Sequence, residues 1–335
     1  MTQANQREWT ILEALKWCTQ YLEEHDDPNP RLSAQWLLSY ATGLSRVEVY
    51  AYHDRPLTPD ERMRLREMLT RRGTGEPLQY IVGEAPFRTL MLKVTPDTLI
   101  PRPETETLVE LVLEYLAQAE EGSGNDEGRL CSAATSSTAV DIDEQHEAPA
   151  TCATQGSARR RVVVARPSAI LDIGTGSGAV ALALAQECPN AQITATDISP
   201  SALEVARTNA ESLGLQDRID FVESDCFDSL GIQKFDIIVS NPPYMPSASL
   251  KSLEIQVRDY EPQSALDGGE DGLALFRRIL SDAIDRLQKK GALFVELDEC
   301  NVTQAAELAV QLNRYEKVVV RPDLNGRDRY LVAIV

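Results

Sequence analysis

Ala169-Ile170-Leu171-Asp172-Ile173-Gly174-Thr175-Gly176-Ser177-Gly178 reads as a short apolar strand running into a glycine-rich turn. A run of this kind suits a strand buried on both faces of a parallel sheet. Ala179 to Gln186 continues as an alanine- and leucine-rich helix, so the local order is strand, turn, helix. Gly174, Gly176 and Gly178 let the backbone turn tightly and approach a ligand closely. With Ala179 in place of a last glycine the spacing also fits a loose dinucleotide fingerprint, and the turn alone does not choose between ligands. Asp172 shifts the balance, because a carboxylate before the first glycine suits a cationic amino-acid ligand and repels a pyrophosphate.

Further along, Gln192-Ile193-Thr194-Ala195-Thr196-Asp197 reads as a second strand ending in an acid placed to accept hydrogen bonds from both hydroxyls of a ribose. A third strand, Ile219-Asp220-Phe221-Val222, leads to Asp225 and Cys226. Asp225 either meets an adenine amino group, with Cys226 beside the ring, or serves as a loop acid or helix cap. Phe235-Asp236-Ile237-Ile238-Val239-Ser240 is another buried strand, and Asn241-Pro242-Pro243-Tyr244 follows it directly. Residues just past the carboxyl end of such a strand face the ligand crevice. Asn241 offers a carbonyl acceptor and an amide donor. The prolines fix φ and leave only carbonyls to offer, and Tyr244 adds a flat apolar face with a polar tip. An NH2 group held by the Asn241 and Pro242 carbonyls lies flat near Tyr244, with its lone pair out of plane, toward a methyl donor. A proline-stiffened turn explains the prolines but not the flanking Asn241 and Tyr244. Together the two halves point to methyl transfer from S-adenosylmethionine onto nitrogen.

The chain has 335 residues, 43% of them hydrophobic, enough for one large core and a smaller one. No apolar stretch has membrane-spanning length, and the polar Met1 to Thr10 segment is unlike a signal or transit peptide. Six scattered cysteines without a CxxC pair fit reduced thiols in a cytoplasmic protein better than a disulfide framework or a zinc site. Three histidines in no ligand spacing give a metal no support. The formal net charge of −19 disfavours nonspecific binding to nucleic acid and suits a basic protein partner as well as it suits simple solubility.

From Trp9 to about Arg72 the pattern is helical: Ile11, Leu12, Leu15, Trp17, Cys18 and Leu22, then Leu32, Trp36, Leu37 and Tyr40 before Gly43. Thr58-Pro59-Asp60-Glu61 reads as a helix start with proline at the first position. Gln79 to Gly83 and Leu90 to Val94 read as the two strands of a hairpin. Leu99 to Glu106, with two prolines around Arg102, then leads into a helix from Thr107 to Gln118. This rigid connector either walls the active site or is an ordinary capped helix entry. From 119 to 168 almost no large apolar residue occurs, as expected of a disordered insertion. Its eight acids against five basic residues leave most of the negative charge to the rest of the chain. The organisation expected is a helical region at 1–75, a hairpin and connector at 76–106, and a larger α/β domain at 107–335 interrupted by the insertion.

Several segments together resemble one family, the protein-(glutamine-N5) methyltransferases that modify peptide chain release factors, known as the HemK or PrmC family. They are Pro77 to Ile81, Ile100 to Glu106, Asp172 to Gly178, Ser240 to Tyr244, Tyr260-Glu261-Pro262, Gly268 to Leu273 and Asp323 to Arg329. The four-residue Asn-Pro-Pro-Tyr motif alone also occurs in DNA adenine methyltransferases, whereas the Ile100 to Glu106 connector does not. The resemblance implies a class I S-adenosylmethionine-dependent fold, Rossmann-like, with a seven-stranded sheet, an antiparallel last hairpin and a helical N-terminal domain that docks the substrate. It implies a release factor as partner, modified at the glutamine of a Gly-Gly-Gln loop. By position, Gly174, Thr175, Gly176, Ser177, Gly178, Asp197, Asp225, Cys226 and Asn241 would hold the cofactor. Asn241, Pro242, Pro243 and Tyr244 would hold the glutamine, with Asn241, Pro242 and Tyr244 the catalytic set. Adenine would pack on Cys226 or on Phe227. Thr89 stands where the family usually has glycine, and Glu296-Leu297-Asp298 replaces a Glu-Ile-Gly pattern. Methylation of a glutamine in a ribosomal protein, adenine methylation of DNA, and noncatalytic cofactor binding remain the alternatives.

Overall fold

The computed structural model describes residues 9–121 and 168–335; the expected disordered insertion at 119–168 lies almost wholly outside them. Four helices begin the chain: α1 (Ile11–Glu23), α2 (Pro30–Thr42), α3 (Arg46–Ala51) and α4 (Pro59–Gly73). Three open on a reciprocal cap in which a hydroxyl accepts from the N3 backbone N–H and an N3 glutamate accepts from the cap backbone. The pairs are Thr10 with Glu13, Ser45 with Glu48, and Thr58 with Glu61. Ile11, Leu15, Cys18, Leu22, Leu37, Leu38, Leu65 and Leu69 close a small core. Trp17 and Leu32, expected inside, are exposed instead. The buried stripe of α2 is Ala34, Leu37, Leu38 and Ala41, spaced three and four apart, and this phase turns Leu32 outward. Trp17 stacks on the helix surface between Trp9 and Tyr21.

The expected strand at Gln79 to Gly83 is a short helix, α5 (Leu78–Val82). Pro77 starts it and Gly83, at φ 80°, ends it. Short apolar runs are ambiguous between helix and strand, and here tertiary contact decides. The helical turn sends adjacent side chains to different cores: Ile81 joins the N-terminal bundle and Tyr80 joins Ala85, Val94 and Ile100. The hairpin is therefore β1 (Glu84–Phe87) with β2 (Leu90–Lys93), Glu84 opposite Lys93. Its turn puts Arg88, and not Thr89, at a positive φ of 53°. Threonine in place of the family's glycine thus brings no backbone strain. Helix α6 (Pro103–Glu121) starts four residues before the expected Thr107, since Pro103 fits the first helical turn and Glu104 and Glu106 face its positive end.

The rest alternates: β3 (Ala169–Ile173), α7 (Ala179–Glu187), β4 (Gln192–Asp197), α8 (Pro200–Ser212), β5 (Ile219–Glu223), β6 (Phe235–Ser240), α9 (Ile255–Arg258), α10 (Ala274–Arg286), β7 (Leu287–Glu296), α11 (Val302–Gln311), β8 (Lys317–Pro322) and β9 (Asp328–Ile334). The seven-stranded sheet has the order β5-β4-β3-β6-β7-β9-β8. Its pairs are parallel from β5 to β7, and β9 runs antiparallel to both β7 and β8. This is the expected seven-stranded sheet with an antiparallel closing hairpin. One apolar layer packs α6 and α7 on one face, and a second packs α10 and α11 on the other. Strand order reverses between β3 and β6, the switch point at which open α/β sheets hold ligands.

Candidate active site

Register brings the two motifs together. Ile173 pairs with Ser240, so Gly174 and Asn241 leave neighbouring strands at the same level. Ser240 Oγ donates to the Ile173 carbonyl at 2.8 Å and fixes that level. One cleft runs over the glycine turn, past Asp197, Ile198, Asp225, Cys226 and Leu275, and ends at Asn241 and Pro243. A second, smaller cleft is lined by Pro242, Tyr244, Met245, Leu253, Val257 and Leu266. Asn241 and Arg102 border both. The motif loop thus forms a partition, with Pro243 on the first side and Pro242 and Tyr244 on the second.

The glycine turn is stitched to its neighbours by its own N–H groups. Gly174 and Thr175 donate to the Thr196 carbonyl at 2.8 and 2.9 Å, Gly176 to Asp197 Oδ2 at 2.8 Å, and Gly178 to the Thr175 carbonyl at 2.9 Å. A pyrophosphate cradle needs such groups free, so the turn is poorly suited to a dinucleotide. Asp172 is fully buried; its Oδ2 accepts from Thr175 Oγ1 at 2.7 Å and from the Ala181 N–H at 3.2 Å. Burial pushes its carboxyl up to about 7, against those two hydrogen bonds. Asp172 therefore pins the turn in addition to bordering the cleft. Gly174 and Gly176, at φ 71° and 56°, have no protein atom within 4 Å of where a Cβ would sit, and both line the open cleft. Gly178 does not line it. A Cβ there would meet Leu182 at 3.0 Å and Ala206 at 3.2 Å, so this glycine lets the turn pack against α7 and α8.

Asp197 Oδ1 accepts from the Ser199 N–H at 2.9 Å, and its second oxygen holds Gly176. Burial raises its carboxyl, offset by these backbone hydrogen bonds. The carboxylate still keeps lone-pair capacity for a ribose hydroxyl. Asp225 is half exposed and paired with Arg278 at 2.9 Å, so an adenine amino group would share it with that guanidinium. Cys226, at φ 52°, lies on the cleft wall, and burial pushes its thiol up to about 11. Phe227 is not an adenine platform: it is buried in the core facing α10, with Arg286 over its ring at 5.7 Å. Ile198 carries the apolar surface instead, 64% exposed directly after the strand-end acid. Its sequence signal was an apolar residue immediately after that acid. The glycine cradle, the diol-ready acid and the apolar walls fit S-adenosylmethionine.

Asn241 Nδ2 donates to Thr105 Oγ1, in the first turn of α6, at 3.0 Å. No described residue donates to its Oδ1, which is left for a ligand. Thr105 is buried. The connector therefore does wall the site, and Arg102 beside it pairs with the buried Glu261 at 2.6 Å. Behind the motif, Asn301 Nδ2 donates to the Tyr244 carbonyl at 2.9 Å. A Cβ at Gly268 would fall 2.7 Å from the Pro243 carbonyl oxygen, so the Gly268 to Leu273 segment is glycine-rich because it presses on the motif's backbone. Burial raises the Tyr244 phenol above its ordinary range. The helical bundle reaches this region through Arg72, which bonds Asp27 at 2.5 Å and Gln256 at 2.9 Å. Neither Thr105 nor the Gly268 contact was legible as a role in sequence, since both partners are distant along the chain.

Residues 13–83 match the family model described as the PrmC N-terminal domain, and residues 161–256 match the methyltransferase small domain. A release factor glutamine methyltransferase of Rhodopirellula baltica is 36% identical over 330 residues, covering 98% of this chain and 97% of that one. One from Geobacter sulfurreducens is 38% identical over 323 residues, covering 96% and 95%. A third, from Chlorobaculum tepidum, is 37% identical over 329 residues, covering 96% of both.

Proposed function

We propose, for a chain that belongs to the release factor glutamine methyltransferase family, that it methylates the side-chain nitrogen of the glutamine in a release factor's Gly-Gly-Gln loop. The observation that carries this reading is Asn241 at the boundary of two clefts, its Nδ2 engaged by Thr105 and its Oδ1 free. A primary carboxamide entering from the Tyr244 side would give one N–H to Asn241 Oδ1 and the other to the Pro242 carbonyl. These hydrogen bonds fix the amide plane and raise the electron density of a nitrogen whose lone pair is otherwise delocalised. The first cleft would hold S-adenosylmethionine, which would supply the methyl and leave as the neutral thioether, and the alkylated nitrogen would give up its proton to solvent. No strong base is required, since the nitrogen becomes acidic once alkylated. Catalysis rests on alignment, an effect of up to roughly 7–11 kcal/mol in favourable cases. Tyr244 flanks the amide, and the helical bundle, tied by Arg72 to the α9 segment that borders the second cleft, positions the release factor. Asp197 would hold the ribose, and Ile198, Cys226 and Leu275, which line the same cleft, would flank the adenine.

Competition tests the reading. Labelled S-adenosylmethionine is incubated with equal amounts of a release factor, ribosomal proteins and duplex DNA. Label is expected in the release factor alone. Label confined to ribosomal protein would keep the chemistry and replace the partner, and label in DNA would remove both.

A further inference from the structure

Glu296, the last residue of β7, is fully buried at the back of the Asn241 site, and neither of its carboxylate oxygens reaches a full hydrogen bond. A buried carboxylate without a partner is costly and calls for an explanation. The donor facing it is the Thr105 hydroxyl, near enough to stabilise the anion. The other groups around it are Arg102 and Glu104 from the connector and the start of α6, Arg329 and Tyr330 from β9, and Tyr244 from the motif loop. Burial pushes the Glu296 carboxyl up to about 7, against Thr105 and the two arginines.

The Thr105 hydroxyl has a single proton. Given to an ionised Glu296, that proton leaves only a lone pair for Asn241, which must then turn its Nδ2 toward Thr105 and its Oδ1 toward the cleft. That is the orientation found, with Nδ2 to Oγ1 at 3.0 Å. A protonated Glu296 is itself a donor to Thr105, whose own proton is then free for Asn241 Oδ1. The amide would turn over and present NH2 to a substrate NH2, donor against donor.

We propose that Glu296 is a positioning residue for methyl transfer, acting through Thr105 to hold the Asn241 carbonyl toward the substrate amide. This rests on the function proposed above. The test follows kcat across pH 5.5–8.5 for wild type, Glu296→Gln, Thr105→Val and Thr105→Ser. The side-chain amide resonances of Asn241 in 15N-labelled protein, assigned by their loss in Asn241→Ala, are followed over the same range. In wild type, kcat should fall about tenfold per pH unit below a midpoint near 7, and the Asn241 resonances should titrate with the same midpoint. Glu296→Gln should remove both transitions. Thr105→Val should lower kcat by about 10²-fold, far more than it changes the KM for S-adenosylmethionine, with a melting temperature lower by a few degrees, and Thr105→Ser should restore most of both. Asn241 resonances that do not titrate near pH 7, or wild-type kcat and pH profile in both Glu296→Gln and Thr105→Val, would overturn the relay. If the release factor stays unmethylated at every pH while the resonances titrate as expected, the relay stands and the functional reading fails.

Discussion

Replacing Gly268 by alanine tests whether the motif loop is held from behind. Gly268 is not one of the positive-φ glycines, so alanine there brings volume and no left-handed backbone strain. Its Cβ would stand 2.7 Å from the Pro243 carbonyl oxygen and 2.7 Å from that of Gly272. Both are backbone atoms, fixed further by Gly268 N–H to Met245 carbonyl and Ala274 N–H to Gly268 carbonyl bonds of 2.8 and 2.9 Å. Something must move by several tenths of an ångström, and overpacking of this kind costs about 1–3 kcal/mol. The displaced atoms carry Pro243 and, through it, the Asn241–Tyr244 loop to which the proposed function assigns the substrate amide. Displacements approaching 1 Å cost up to about 10²-fold, so kcat should fall by about 10–100-fold. The first cleft meets Pro243 only where it ends, while its glycine turn and Asp197 lie beyond the displaced loop, so S-adenosylmethionine affinity by calorimetry should change far less than kcat, by about threefold or roughly 0.7 kcal/mol. Gly43→Ala is the control: φ is 71° but no atom lies within 4 Å, so it adds strain without a clash. It should lower stability by about 1–2 kcal/mol and leave kcat alone. A Gly268→Ala protein with unchanged kcat and melting temperature would refute the reasoning.

Asn241→Ala should abolish detectable turnover while cofactor affinity stays within a few-fold, and near-normal turnover would remove its assigned role. Asp172 has a folded pKa raised to about 7, so the stability linked to its protonation is full below the ordinary carboxylate range and lost as pH rises through 7. Thermal unfolding should therefore show wild type losing stability relative to Asp172→Asn between pH 5 and 8, and parallel curves would contradict the burial argument. Arg88→Ala should lower the melting temperature by several degrees, about 1–3 kcal/mol, without altering cofactor affinity. The Arg88 side chain is 6% exposed and joins the hairpin to Glu110 at 3.1 Å and Glu187 at 2.6 Å, so an unchanged melting temperature would deny that tie.

Local periodicity and turn chemistry carried much of the fold. The strand-turn-helix at Ala169 to Gln186 and the cap at Thr58 are set by residues close in sequence, and both stand where expected. The run Gln79 to Gly83 misled because two adjacent apolar residues serve two cores, which no local pattern reveals. Trp17 misled because an exposed aromatic side chain resting against Trp9 and Tyr21 on the helix surface satisfies the same spacing as a core residue. At the candidate site, the meeting of the glycine turn with Asn241 to Tyr244 was legible because each segment directly follows a buried strand of the sheet. Their supports were not. Thr105 lies 136 positions from Asn241, and Gly268 is pinned by carbonyls of a loop that sequence cannot place beside it. Long-range packing also decided that Cys226 faces the cleft while Phe227 turns into the core.

Fragmentation mass spectrometry of a release factor after incubation with S-adenosylmethionine and this protein tests the central claim most directly. A single methyl on the side-chain nitrogen of the Gly-Gly-Gln glutamine is the expected result, absent when Asn241→Ala replaces the wild type. A methyl on another residue, or an unmodified loop beside an active control reaction, would contradict it.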